Sequence, residues 1–212
     1  MERRSVLYLH GFASSPQGRK IALLRERLEP SGFTIVAPDL NAPSFERLDF
    51  EAMVRIALEA AAVHAPSVVV GSSLGALVAL AADRRGVDAP LVLLAPALGF
   101  GARWTEKLPE AERLPFFHHG AGEEKLIHRA FFESMAREDA SREPPRSRVV
   151  VLMGRQDESV PYALVEDVWC RWVATKRLPG GSRFVEVPTG DHGLLEHVDL
   201  IAAEIREAAA VD

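Results

Sequence analysis

Short apolar runs alternate with longer amphipathic segments along this chain. Residues 6–9, 34–37, 68–70, 91–94, 149–153 and 183–187 predict strands, most of them apolar at consecutive rather than alternate positions. Consecutive apolar positions are expected of strands that helices cover on both faces. The segments near 18–28, 50–63, 74–83, 162–175 and 194–210 predict the helices. The alternation implies a three-layer α/β domain whose sheet has about six mostly parallel strands. Right-handed crossovers then gather every strand's carboxyl end at one edge, where open α/β sheets bind their ligands.

One interval breaks this rhythm. About fifty residues separate the strand ending at Leu94 from the one starting at Val149. The insert, at about 99–145, carries Trp104, Phe116, Phe117, Phe131 and Phe132, with His118, His119 and His128, and residues 122–138 predict a helix. Because it leaves from the ligand-binding edge, this aromatic-rich segment is expected to form a lid over a pocket. The alternative is a helical excursion that packs on the sheet without touching substrate. Glu143-Pro144-Pro145-Arg146 reads as a stiff return from the insert, so the whole chain, 1–212, is expected to be a single domain.

Composition narrows the class further. At 212 residues, with 48% hydrophobic and 26% charged positions, the chain is long enough for one substantial core. A net charge of −5 leaves no basic surplus for neutralising phosphates, which argues against a nucleic-acid partner. The single cysteine, Cys170, allows neither an intramolecular disulfide nor a cysteine-based metal framework. His118, His119, Glu123 and Glu124 match no strong metal motif, so no metal is expected. No apolar stretch has membrane-spanning length and no signal peptide is evident, so a cytoplasmic protein, monomeric or homodimeric, is expected.

The chemistry concentrates at strand ends. Gly71-Ser72-Ser73-Leu74-Gly75 directly follows an apolar strand and opens a helix. In that context, a serine at the centre of G-x-S-x-G sits on a sharp turn that raises its hydroxyl above the sheet. Ser73 is thus the candidate nucleophile, the alternative being a serine that merely caps the next helix. A serine hydroxyl needs a base. His192, in the turn between the last strand and the last helix, lies on the same edge. Asp157, after the penultimate strand, is the candidate acceptor that orients this histidine, with Glu158 as its nearest rival. The chain order Ser, Asp, His suits this arrangement. The backbone amides of Phe12 and Leu74 are the candidate oxyanion donors, leaving both side chains free to line an acyl pocket. His10, next to the first of these, is expected to brace its turn rather than carry protons.

The stretch Leu7-Tyr8-Leu9-His10-Gly11-Phe12-Ala13-Ser14-Ser15-Pro16 and the elbow Gly71-Ser72-Ser73-Leu74-Gly75 resemble the α/β-hydrolase superfamily, and within it the small YqiA-like esterases. The resemblance implies Ser73 as nucleophile, Asp157 as acid, His192 as base, and a hole formed by Phe12 and Leu74. It also implies cofactor-free hydrolysis of a small-molecule carboxylic ester or thioester. A hydrolase-like module that binds a ligand without turnover, and an acyltransferase using the same acyl-enzyme, are the competing readings. Because the strand carrying His-Gly-Phe comes almost at once, the superfamily's first antiparallel hairpin is expected to be absent.

Overall fold

The structure is a computed structural model and describes residues 4–99, 109–118, 122–138 and 140–210. Six strands form the main sheet: β1 (Arg4–Leu9), β2 (Phe33–Val36), β3 (Val68–Ser72), β4 (Leu91–Leu94), β7 (Val149–Gly154) and β8 (Arg183–Val187). Their order is β2-β1-β3-β4-β7-β8, and every pairing is parallel. In β3, β4 and β7 every residue is buried, as their unbroken apolar runs require of strands sandwiched between helix layers.

The described residues include six helices: α1 (Arg19–Leu28), α2 (Phe50–His64), α3 (Leu74–Arg84), α4 (Arg129–Arg137), α5 (Tyr162–Ala174) and α6 (Val198–Ala208). α1 packs against α6, and α2 packs against α3. α3 is buried from Leu74 to Asp83, which suits its small, apolar sequence LGALVALAAD. Asp83 ends that buried run without an ionic partner among the described residues. Its carboxylate instead accepts the amides of Arg146 and Ser147 at 2.7 and 2.9 Å, tying the return from the insert to the central helix.

Strand order decides where a site can form. The chain leaves β1 outward to β2, then comes back to place β3 on the other side of β1. Such a reversal opens a crevice at the carboxyl ends of the two central strands. Leu9 pairs with Gly71, so His10-Gly11-Phe12 and Ser72-Ser73 emerge side by side at that crevice. Gly154 pairs with Val187, so the loops bearing Asp157 and His192 leave the same edge.

The insert departs from its expected form. Residues 122–138 are not one helix: Glu123–His128 is strand β6, paired antiparallel with β5 (Arg113–His118), and only Arg129–Arg137 is helical. Pairing puts Leu114 opposite Ile127, and both are buried, which a helix over 122–138 would not achieve. Pro115 hides the first of these strands in the sequence, yet a two-stranded ribbon has only edges, where a residue without an N–H is tolerated. Trp104 and His119 lie outside the described residues. The last helix also starts later than expected, a 3₁₀ turn at Leu195–His197 preceding α6.

Candidate active site

A single residue turns the chain between β3 and α3. Ser73 takes φ 54° and ψ −115°, a conformation that costs a non-glycine residue about 1–3 kcal/mol. Backbone contacts hold it there: its N–H donates to Leu94 O at 2.9 Å, and its carbonyl accepts from Ala97 N at 3.2 Å. Gly75 lets α3 cross directly over β1. A Cβ at that position would lie 2.1 Å from the Leu9 carbonyl oxygen and 2.7 Å from that of His10, both backbone atoms unable to swing aside. Gly75→Ala is therefore expected to lose about 3 kcal/mol of stability through overpacking, seen as a lower urea midpoint at unchanged m.

The acid and base loops are locked to each other in a similar way. The ideal Cβ of Gly154 would stand 2.1 Å from Gly190 O, and Gln156 N–H donates to that same carbonyl at 2.9 Å. From this clasp His192 reaches Ser73 on one side and Asp157 on the other. Ser73 Oγ lies 3.1 Å from His192 Nε2, and His192 Nδ1 lies 2.8 Å from Asp157 Oδ2. A carboxylate facing Nδ1 fixes the proton there, leaving Nε2 to accept from the serine hydroxyl. Asp157 Oδ1 accepts the amides of Ser159 and Val160 at 2.9 and 2.8 Å. The Asp157 side chain is 0% exposed and that of His192 is 32% exposed, so the imidazole alone is open to the crevice. Glu158 is exposed, and Asp191 turns its carboxylate to the Leu194 amide at 2.7 Å.

His10 is buried and makes two ring contacts. The Leu40 amide donates to its Nε2 at 3.0 Å, so Nδ1 carries the proton and donates to Gly11 O at 2.9 Å. Burial holds its pKa below the ordinary histidine value, although the Asp39 carboxylate nearby pulls the other way. Neutral and saturated, it shapes the turn that brings Gly11 against Ser73, where a Cβ would meet that of Ser73 at 3.2 Å.

Two cavities meet at Ser73 and His192. The larger, about 380 Å³, is lined by Phe12, Leu74, Leu77, Phe116, Phe131 and Met135 among others, and so is almost wholly apolar. Phe12 anchors its wall. Its ring stands edge-on to Phe116 at 5.2 Å and stacks on Phe131 at 6.1 Å, so the insert closes onto the loop after β1. His118 packs edge-on against Phe45 at 4.3 Å. The smaller cavity, about 180 Å³, is more polar than the first and lies toward α1.

Three groups of that smaller cavity escape sequence reasoning: Tyr8, Lys20 and Ser72. Lys20 Nζ donates to Ser72 Oγ at 3.1 Å, next in the chain to Ser73. Removal from water lowers its pKa to about 8, against the opposing pull of Asp191 and Asp157. Tyr8 also faces Ser72, and burial pushes its hydroxyl pKa up. One signal was available. Lys20 and Arg19 open α1 with no acidic residue in the first turn, the reverse of what the positive end of a helix favours.

Among the described residues no helix is long and apolar enough to cross a membrane. The fold is similar to that of several solved structures. Est1E from Butyrivibrio proteoclasticus with bound ferulic acid superposes with a TM-score of 0.77 at 17% identity, over 96% of this chain and 87% of that one. Alpha/beta hydrolase domain-containing protein 10 from mouse gives 0.77 at 19% identity, over 97% and 89% of the two chains. Paleococcus ferrophilus monoacylglycerol lipase gives 0.76 at 18% identity, over 98% and 95%. No curated protein matches the chain in sequence. Residues 5–177 match the model of an uncharacterised family, UPF0227. With an α/β-hydrolase fold and a family match over most of its length, the chain is a member of UPF0227.

Proposed function

We propose that the protein is a serine hydrolase that cleaves a carboxylic ester or thioester through an acyl-enzyme on Ser73. The observation that carries this reading is the unbroken relay Ser73 Oγ, His192 Nε2, His192 Nδ1, Asp157 Oδ2, with contacts of 3.1 and 2.8 Å. A ligand-binding module needs neither a base beside a hydroxyl nor a buried carboxylate to orient that base.

Ser73 Oγ attacks the carbonyl carbon as its proton passes to His192 Nε2, forming the C–O bond and placing the electron pair on the carbonyl oxygen. Asp157 offsets the charge of the imidazolium and holds its ring in place. The amides of Phe12 and Leu74 receive the oxyanion, the second being the first helical N–H of α3 and so without an acceptor in its own helix. Collapse expels the alkoxide or thiolate, which takes the proton from His192. Water then repeats the sequence on the acyl-enzyme, giving the acid and restoring Ser73. The acyl group occupies the cavity of about 380 Å³, within the roughly 300–1,000 Å³ typical of small-molecule sites. The β5–β6 ribbon and α4, part of the insert at about 99–145, act as its lid through Phe116, Phe131 and Met135.

A fluorophosphonate probe tests the assignment. Expected is one covalent adduct per chain, mapped by peptide mass to Ser73, with parallel loss of p-nitrophenyl butanoate hydrolysis. Labelling elsewhere, or none with activity intact, contradicts it.

A further inference from the structure

The cavity toward α1 lies beside the apolar one proposed above for the acyl group, and Ser73, His192 and Gly193 all line it. In the acyl-transfer step the leaving group departs on the side of the histidine that protonates it, and this cavity opens there. Its lining is unlike that of the apolar one: Tyr8, Ser14, Arg19, Lys20 and Ser72 supply hydroxyls and two cations.

The charges are arranged for an anion. Lys20 sits in the first turn of α1, a helix of 10 residues that starts without a side-chain cap and without an acidic residue in its first turn. Lysine and arginine at that end raise a positive potential that a helix N-terminus already carries. Lys20 has one hydrogen-bond partner, Ser72 Oγ at 3.1 Å, and no carboxylate within ion-pair distance among the described residues. The two nearest carboxylates are engaged elsewhere. Asp157 faces His192 and two amides, and Asp191 faces the Leu194 amide. An ammonium that is partly drawn out of water, feels Asp157 and Asp191 only from beyond ion-pair distance and borders an open cavity is costly unless something anionic completes it. With its pKa at about 8, the group still carries its charge near neutral pH.

We infer that this cavity is a leaving-group subsite selecting esters or thioesters whose alcohol or thiol portion bears a carboxylate, bound by Lys20 with Arg19 at the rim. The inference rests on the acyl-enzyme reading above and adds to it the substrate class. Acyl specificity then resides in the aromatic cavity, leaving-group specificity in the polar one, and Ser73 stands where the two meet.

Two matched esters test it: 4-carboxyphenyl butanoate and its methyl ester, 4-(methoxycarbonyl)phenyl butanoate. The readout is the ratio of their kcat/KM values, in which any loss common to both cancels. The wild type is expected to prefer the carboxylate ester, and Lys20→Met to reduce the ratio by about tenfold or more, the usual worth of a charge-assisted contact. An unchanged ratio overturns the inference and makes Lys20 a brace for the elbow through Ser72. Calorimetric titration with 4-hydroxybenzoate and with methyl 4-hydroxybenzoate needs no turnover and, on the wild type alone, does not depend on the variant folding. Preferential binding of the carboxylate supports the subsite even if neither ester is hydrolysed, an outcome that counts against the acyl-enzyme alone. Equal affinity for the two phenols overturns the subsite while leaving hydrolysis of the neutral ester, and Ser73, untouched.

Discussion

Ser73→Ala is expected to lower kcat for ester hydrolysis by about 10⁵-fold or more while the protein stays folded. In the proposed mechanism the hydroxyl forms the covalent bond, and no other nucleophile lies on the relay: His192 and Asp157 are committed to each other at 2.8 Å. What survives is the hole and the substrate pocket, which hold the transition state for direct attack by water and account for a small residual rate. The fold has little reason to respond. The unusual φ of 54° is imposed by backbone hydrogen bonds that alanine keeps, the Ser73 N–H donating to Leu94 O and its carbonyl accepting from Ala97 N. Among the described residues the side chain makes one part-buried hydrogen bond, to His192, worth about 1 kcal/mol. Circular dichroism should therefore match the wild type, the urea midpoint should fall by about 0.5 M or less, and the fluorophosphonate adduct should vanish. A folded variant keeping even a hundredth of the activity places the nucleophile elsewhere.

Much of this arrangement is legible before any coordinates are consulted, and the reasons are physical. Strands buried on both faces must be apolar at successive positions, so β3, β4 and β7 stand out as VVV, LVLL and VVVLM. The glycines flanking Ser73 are visible because the backbone passes too close for any side chain, which Gly75 shows against Leu9 O. The strand-end positions of Asp157 and His192 follow from parallel topology alone. Legibility fails where tertiary pairing rather than local pattern decides the structure. Leu114 and Ile127 bury each other across a ribbon whose first strand contains proline, and neither segment alternates strongly enough to announce a strand. Lys20 fails for another reason: a lysine on an amphipathic helix is ordinarily a solvated face, and only the sheet's geometry turns this one toward Ser72.

Asp157→Asn should cost about 10⁴-fold in kcat, and the direction of its amide explains why so small a change is so damaging. Asp157 Oδ1 accepts from two backbone amides, those of Ser159 and Val160, at 2.9 and 2.8 Å. An asparagine in that place must keep its carbonyl oxygen on these donors, since turning the NH₂ toward them would oppose donor to donor. Its NH₂ is then forced onto His192 Nδ1, where the carboxylate had accepted a proton at 2.8 Å. A donor facing Nδ1 drives the imidazole proton to Nε2, the nitrogen 3.1 Å from Ser73 Oγ. The base has become a donor to the hydroxyl it should deprotonate. Because both amide contacts survive, stability should fall little, whereas Asp157→Ala would strand two N–H groups, that of Val160 buried, and confuse the two effects. Glu158→Gln, at the exposed neighbour, should stay within about twofold of wild type, the scale of an ordinary surface change. The pair of measurements separates a carboxylate that sets a tautomer from one that only lends charge to the loop. If the asparagine variant is folded and loses less than tenfold in kcat, Asp157 is a helix cap whose contact with His192 has no part in the proton transfer.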